Sequence, residues 1–142
     1  LRKEGAPLIR YSTHDLTRII PGDCKCKFGS HHPRIDILTG RTDDMVKVKG
    51  CNMFPSQIEE VLQFTDGASS EYQVMIEAIN GRDVLTVLFE TPLEGEERER
   101  CEQQLAAIFK AKIGCTPEAK GVPMGELPRS EKKSKRIFDS RY

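Results

Sequence analysis

The chain has 142 residues, 37% of them apolar, and its 22 lysines and arginines balance 22 aspartates and glutamates. That length holds one domain, or one small domain with an appendage, and the apolar content can fill a core. Zero net charge excludes bulk nucleic-acid binding, which needs a basic footprint over much of the surface. No apolar run is long enough for a transmembrane helix, and the opening LRKEGAPLIRY lacks the apolar core of a secretory signal.

The first residue is not Met, so a piece of something longer is expected. The cysteines are Cys24, Cys26, Cys51, Cys101 and Cys115. An odd count without a secretory signal points to a reducing, cytoplasmic setting with free or metal-bound thiols.

In chain order, residues 1–40 differ from the rest. LIRYSTHDLTRII reads as a short strand and turn, and PGDCKCKFGSHHPR is rich in turn formers. No helical period appears, and the stretch is poor material for a core of its own. Cys24, Cys26, His31 and His32 lie close enough in sequence to suggest structural zinc. C-x-C is tighter than the usual C-x₂-C, and adjacent histidines rarely both bind one metal. The expected set is therefore Cys24, Cys26 and His32, completed from elsewhere; the alternative is a loop with reduced thiols.

From residue 46 the pattern is regular. Val46 and Val48 alternate with Lys47 and Lys49, which predicts a short strand, and Gly50 and Asn52 mark a turn. FPSQIEEVLQF predicts a helix opened by Pro55 and Ser56, with Ser56 and Glu59 at capping-box spacing and Asp66-Gly67 as its stop. YQVMIEAI (72–79) and VLTVLF (84–89) are β-rich runs, and Asn80-Gly81 between them signals a hairpin. A second helix is predicted over about 95–112, with Cys101, Leu105, Ile108 and Lys112 along one stripe and Phe109 beside it. GCTPEAKGVPMGELP follows as a short strand or extended segment.

The order strand, helix, strand, strand, helix, strand predicts an α+β, ferredoxin-like domain: an antiparallel sheet with two helices on one face. The segment after the last strand is expected to be mobile. Composition changes near Gly40, the one candidate domain boundary.

Two stretches carry chemistry. GRTDDMVKVKG places Arg41, Asp43, Asp44, Lys47 and Lys49 in one connection, a density that suits a hinge or a phosphate-facing surface. RSEKKSKR (129–136) gathers five basic groups and one acid in a neutral protein. It reads as a solvated tail, a nuclear-import or nucleic-acid patch, or a device aimed at one phosphate.

GRTDD-M-V-K-V-K-G followed by N-x-F-P-S-Q-I-E-E resembles the hinge motif of adenylate-forming enzymes, most closely the phenylacetate–CoA ligase family. PRSEKKSKRIFDSR resembles that family's last motif, which carries the catalytic lysine, and YSTHDLTRI resembles the motif that supplies an aspartate to the nucleotide ribose. Three motifs in order cover nearly the whole chain.

The resemblance implies that residues 1–42 end a large adenylating domain and that 43–142 form the mobile small domain. It implies ATP/AMP with Mg²⁺ and CoA as reactants, with an aryl acid, and the remainder of the large domain as the missing partner. The phosphate loop and acyl pocket are absent, so the piece alone is expected to be inactive. By motif position the catalytic lysine is Lys133, with Lys132 where the family has glycine. A lysine ammonium there would hold the charge that builds as a carboxylate meets the α-phosphate. Asp15 matches the ribose aspartate and Arg41 a nucleotide-reaching arginine, with a salt bridge to Asp43 or Asp44 as its plain reading. Asp43 matches the hinge, and Gly50 the lining of the pantetheine tunnel or simply a hairpin glycine. Any metal on the C-x-C would be structural.

A deazaflavin-coenzyme synthetase of the same superfamily is the near alternative, and a non-catalytic ferredoxin-like binding module the distant one. RNA-binding sheets of that shape expose two or three aromatics, whereas these strands offer only Tyr72 and Phe89. No nucleic-acid or membrane partner is expected, and a homodimer is left open.

Overall fold

The computed structural model describes residues 10–22, 27, 32–129 and 136–141. The chain divides into two compact units, Leu1–Asp44 and Met45–Tyr142.

In the first unit, β1 (Asp15–Leu16) pairs antiparallel with β4 (Gly40–Arg41), and β2 (Ile19–Ile20) with β3 (Arg34–Ile35). Thr42–Asp44 forms one 3₁₀ turn. The unit's large apolar side chains include exposed Ile19, Ile35, Ile37 and Leu38, in keeping with a stretch that builds no core of its own.

The second unit opens with a hairpin of β5 (Val46–Val48) and β6 (Cys51–Met53). Its turn is Lys49-Gly50, with φ of 48° and 79°. Two successive positive φ values make the turn whose twist suits a two-residue hairpin. Asn52, expected in the turn, is instead a strand residue paired with Lys47.

Helix α1 (Pro55–Gln63) opens at Pro55 as expected, but its cap lies two residues before Ser56. Phe54 takes the cap position, and its backbone N–H donates to Gln57 Oε1 at 3.0 Å. Gln57 at N3 thus satisfies one backbone group that the helix end leaves open. The Ser56–Glu59 spacing is not the cap. Ile58, Val61 and Leu62 are the buried face.

β7 (Tyr72–Ile79) and β8 (Arg82–Glu90) form a long hairpin closed by Asn80-Gly81. Helix α2 (Gly95–Ile113) buries Cys101, Leu105 and Phe109, an i, i+4, i+8 stripe. Phe109 rather than Ile108 is the fully buried one, with Ile108 partly buried against the core. β9 (Glu118–Val122) then runs parallel to β8.

The main sheet has the order β10-β7-β8-β9, where β10 is Ile137–Asp139 and runs parallel to β7. Three expectations are corrected here. The sheet is mixed rather than antiparallel. The strand at 46–48 lies outside it, because the tight Lys49-Gly50 turn spends its hydrogen bonds on β6. The segment after the last predicted strand is not wholly a loose tail, since 137–139 supply the edge strand.

Alternate residues of the two central strands face one core. Tyr72, Val74, Ile76, Leu85, Val87 and Phe89 pack in one cluster with the apolar faces of α1 and α2. The helices therefore share one face of the sheet. Phe109 is wholly buried on α2's stripe. Phe109→Ala is expected to lower stability by about 3–5 kcal/mol. Urea unfolding of the chain should show an earlier midpoint at unchanged slope; a shift worth under about 1 kcal/mol would mean the core does not rest on this residue.

Candidate functional site

In the first unit the strand register places Asp15 directly opposite Arg41. Arg41 Nη1 lies 3.6 Å from Asp15 Oδ1. The same guanidinium donates to both Asp43 oxygens, Nε to Oδ1 at 3.0 Å and Nη2 to Oδ2 at 2.7 Å. Asp44 Oδ2 is a further 3.7 Å neighbour of Nε. Three of the sequence-derived positions, Asp15, Arg41 and Asp43, thus form one charged cluster, and the plain salt-bridge reading of Arg41 holds as well.

The local backbone explains the grouping. Thr42 N–H donates to His14 O at 2.8 Å, and Asp15 N–H to Thr13 Oγ1 at 3.3 Å, so the turn before β1 is tied to the end of β4. The hydrogen bonds donated by Arg41 hold the Asp43 carboxyl below the usual aspartate range, against the opposing effect of desolvation. Asp43, in turn, raises the Arg41 guanidinium further. The cluster is solvent-facing, so salt weakens it.

In the second unit, Gly50 sits at a positive φ, and a Cβ there would meet nothing within 4 Å. Within this unit the glycine answers to the turn, not to crowding. Lys47, Lys49, Gly50, Asp83, Asp139 and Arg141 line an open hollow of 380 Å³ together with Met45 and Val46. Arg141 anchors its floor: it donates to Asp83 Oδ2 at 2.8 Å, to Asp139 Oδ2 at 2.6 Å and to Lys47 O at 2.9 Å. Lys49 reaches across with its ammonium to Thr116 O at 3.2 Å.

Lys133, Cys24 and Cys26 lie outside the described residues. Among the described residues no group of three or more His, Cys, Asp or Glu side chains is arranged to hold a metal. Cys51, Cys101 and Cys115 are free thiols. Among the described residues no helix is long and apolar enough to cross a membrane.

The flanks of the basic run are ordered by groups the sequence reading did not single out. Glu90, the last residue of β8, has no exposed surface. Its carboxylate accepts from Leu127 N–H at 3.0 Å and from Arg129 Nη2 at 2.7 Å. Burial pushes its pKa up, but these donors and the Gly125 N–H outweigh that and hold it below the ordinary glutamate value. Its stabilisation is therefore complete above the unfolded pKa of about 4.3 and fades as pH falls through the folded value. Nothing in VLTVLFE distinguishes this glutamate from a strand-end residue facing water; its partners Leu127 and Arg129 lie far along the chain.

Residues 50–141 match the AMP-binding enzyme C-terminal domain, and the chain belongs to that family. It is 38% identical to the phenylacetate-coenzyme A ligase of Escherichia coli strain K12 over 99% of its length. The match takes in 32% of that enzyme, so the chain spans about a third of the curated relatives' length. A crystallised domain of phenylacetate-coenzyme A ligase from Bacteroides vulgatus superposes with a TM-score of 0.62 at 33% identity, covering 70% of this chain and 95% of that one. The fold also matches a 2-hydroxyisobutyryl-CoA ligase, at a TM-score of 0.78 and 24% identity over 95% of this chain and 29% of that one.

The charge cluster yields a direct expectation. In a ¹³C titration of the chain, the Asp43 carboxyl should titrate below the reference value of about 3.9 and return to it in Arg41→Ala. A titration unchanged by that substitution would contradict the bidentate pair.

Proposed function

We propose that this chain is the C-terminal part of an ATP-dependent, AMP-forming aryl-acid CoA ligase of the phenylacetate type. The observation that carries the reading is the 38% identity to such a ligase along 99% of the chain. The charged cluster of Asp15 and Arg41 on facing strand positions supports it. The whole enzyme would join a carboxylate to ATP with loss of pyrophosphate, then pass the acyl group to the CoA thiol.

In this reading residues 1–42 close the large adenylating domain and 43–142 form the small domain. Asp15 accepts from the vicinal hydroxyls of the ribose, which a two-oxygen carboxylate suits. Arg41 reaches the nucleotide while its remaining donors stay on Asp43. Asp43 is the hinge about which the small domain rotates between half-reactions. Gly50, at the rim of the hollow lined by Lys47 and Lys49, faces the pantetheine arm. ATP would arrive with its Mg²⁺. The cytoplasm suits free thiols such as those of Cys51, Cys101 and Cys115.

Lys133 is the residue assigned to the first step. Its ammonium would hold the charge that accumulates as carboxylate and α-phosphate approach. Lys132, in the place of the family's glycine, makes the register worth testing directly. In the full-length enzyme, phenylacetate-dependent exchange of pyrophosphate into ATP should fall by about a hundredfold to a thousandfold in Lys133→Ala. Comparable loss in Lys135→Ala with Lys133→Ala harmless would move the role to Lys135. No exchange with phenylacetate or other aryl acids would turn the reading toward the deazaflavin-coenzyme relative.

A further inference from the structure

Two thiols that the motifs leave unused meet where α2 ends. The helix stops at Gly114, whose φ of 94° turns the chain while its N–H still donates to Lys110 O at 3.0 Å. Glycine takes that left-handed conformation without the clash a side chain would bring. The next residue is Cys115, and its side chain is in hydrogen-bonding contact with Cys51, the first residue of β6. A Cβ on Gly114 would stand 3.6 Å from Cys51 Sγ, so the backbone beside Cys115 packs directly against that sulfur. Lys49 joins the same two segments a second time. Its ammonium donates to Thr116 O at 3.2 Å, between residues 67 positions apart in the chain.

The pair is asymmetric. Cys51 is partly exposed at the margin of the core, and Cys115 is buried within it. Burial pushes the Cys115 thiol up, the adjoining Cys51 adds to that, and the Lys49 ammonium opposes both. A reagent in water therefore meets Cys51 first. Cys101 provides the contrast: it is buried on the inner stripe of α2, about three turns before the helix ends. One reachable sulfur with a second thiol already against it is what thiol–disulfide exchange needs for entry and for resolution. Because the second thiol is held in place, its attack is intramolecular and outruns a further encounter with reagent.

We propose that Cys51 and Cys115 form a reversible redox-modification site, at which a small-molecule disulfide converts the two thiols into an intramolecular bridge. The Cys51 thiolate attacks one sulfur of the reagent, forms a mixed disulfide and expels the first thiolate. The Cys115 sulfur then attacks Cys51 Sγ, gives up its proton, and expels the second. Two protein thiols are oxidised by two electrons, and the reagent disulfide is reduced to two thiols, which carry away the two protons. The bridge ties the strand after the Lys49-Gly50 turn to the start of the segment that leads into β9. It closes a long loop, the kind of cross-link that most restricts an unfolded chain.

The test treats reduced, desalted full-length enzyme with oxidised glutathione, alkylates the remaining thiols after denaturation, and maps the peptides without reduction. The expected product is a peptide pair joined through Cys51 and Cys115, released by dithiothreitol, with Cys101 alkylated as a free thiol. In Cys115→Ser the reaction should stop at a glutathione adduct on Cys51. In Cys51→Ser, modification of Cys115 should slow at least about tenfold, because the exposed entry point is gone. A bridge from Cys51 to any other cysteine would overturn the proposal. So would a glutathione adduct that persists on Cys51 in the unaltered enzyme, no modification of either thiol, or Cys115 reacting equally fast without Cys51. Should either serine variant not fold, the unaltered enzyme decides alone, since the joined peptides are read there directly.

Discussion

A carboxylate wholly removed from water must be met by donors, and at Glu90 those donors all come from the chain that follows β9. The main sheet runs β10-β7-β8-β9, so the polypeptide must travel from one edge strand to the other between Val122 and Ile137. Its described residues meet the sheet where β8 finishes and β7 begins. Thr91 N–H donates to Val122 O, Glu90 accepts from Leu127 N–H and Arg129, Glu71 pairs with Arg129 and Arg136, and Val74 N–H donates to Arg136 O. These contacts come in the order of the strands being crossed. Two glutamates at neighbouring strand ends thus decide that the C-terminal residues belong to the folded unit.

The remainder of that unit gives the crossing something rigid to be tied to. The β7–β8 hairpin is long because Asn80-Gly81 closes it with the right twist, and its inward side chains meet the stripes of both helices in a single core. At the far end of β10, Arg141 repeats the device: it binds Asp83 on β8, Asp139 on its own strand, and the carbonyl of Lys47 in the first hairpin. The basic excess that looks like a solvated charge run is therefore partly structural. Arg129, Arg136 and Arg141 are all paired with named acids.

Features set by neighbours in the chain were legible in the sequence. Helices α1 and α2, strands β7, β8 and β9, and the Asn80-Gly81 turn follow from apolar period and turn chemistry. Asp15, Arg41 and Asp43 were picked out by motif, and their meeting in space depends only on the short β1–β4 register. Features set by distant pairing were not legible. Val46–Val48 reads as a sheet strand, yet it pairs with Cys51–Met53 instead. Ile137–Asp139 is too short to signal a strand, and it becomes one because Val74 and Ile76 offer an open edge. Glu90 carries no local mark of its burial, and its partners lie 37 and 39 residues away.

The account stands or falls on whether Glu90 holds the crossing segment to the sheet. Backbone amide hydrogen exchange of this chain measures that at the Leu127 N–H, whose acceptor is Glu90 Oε1. The account predicts protection of Leu127 comparable with that of core strand amides such as Val87, lost in Glu90→Gln while Val87 stays protected. Leu127 exchanging at the rate of an open loop in the unaltered chain would show that the segment is free and that the two glutamates organise nothing.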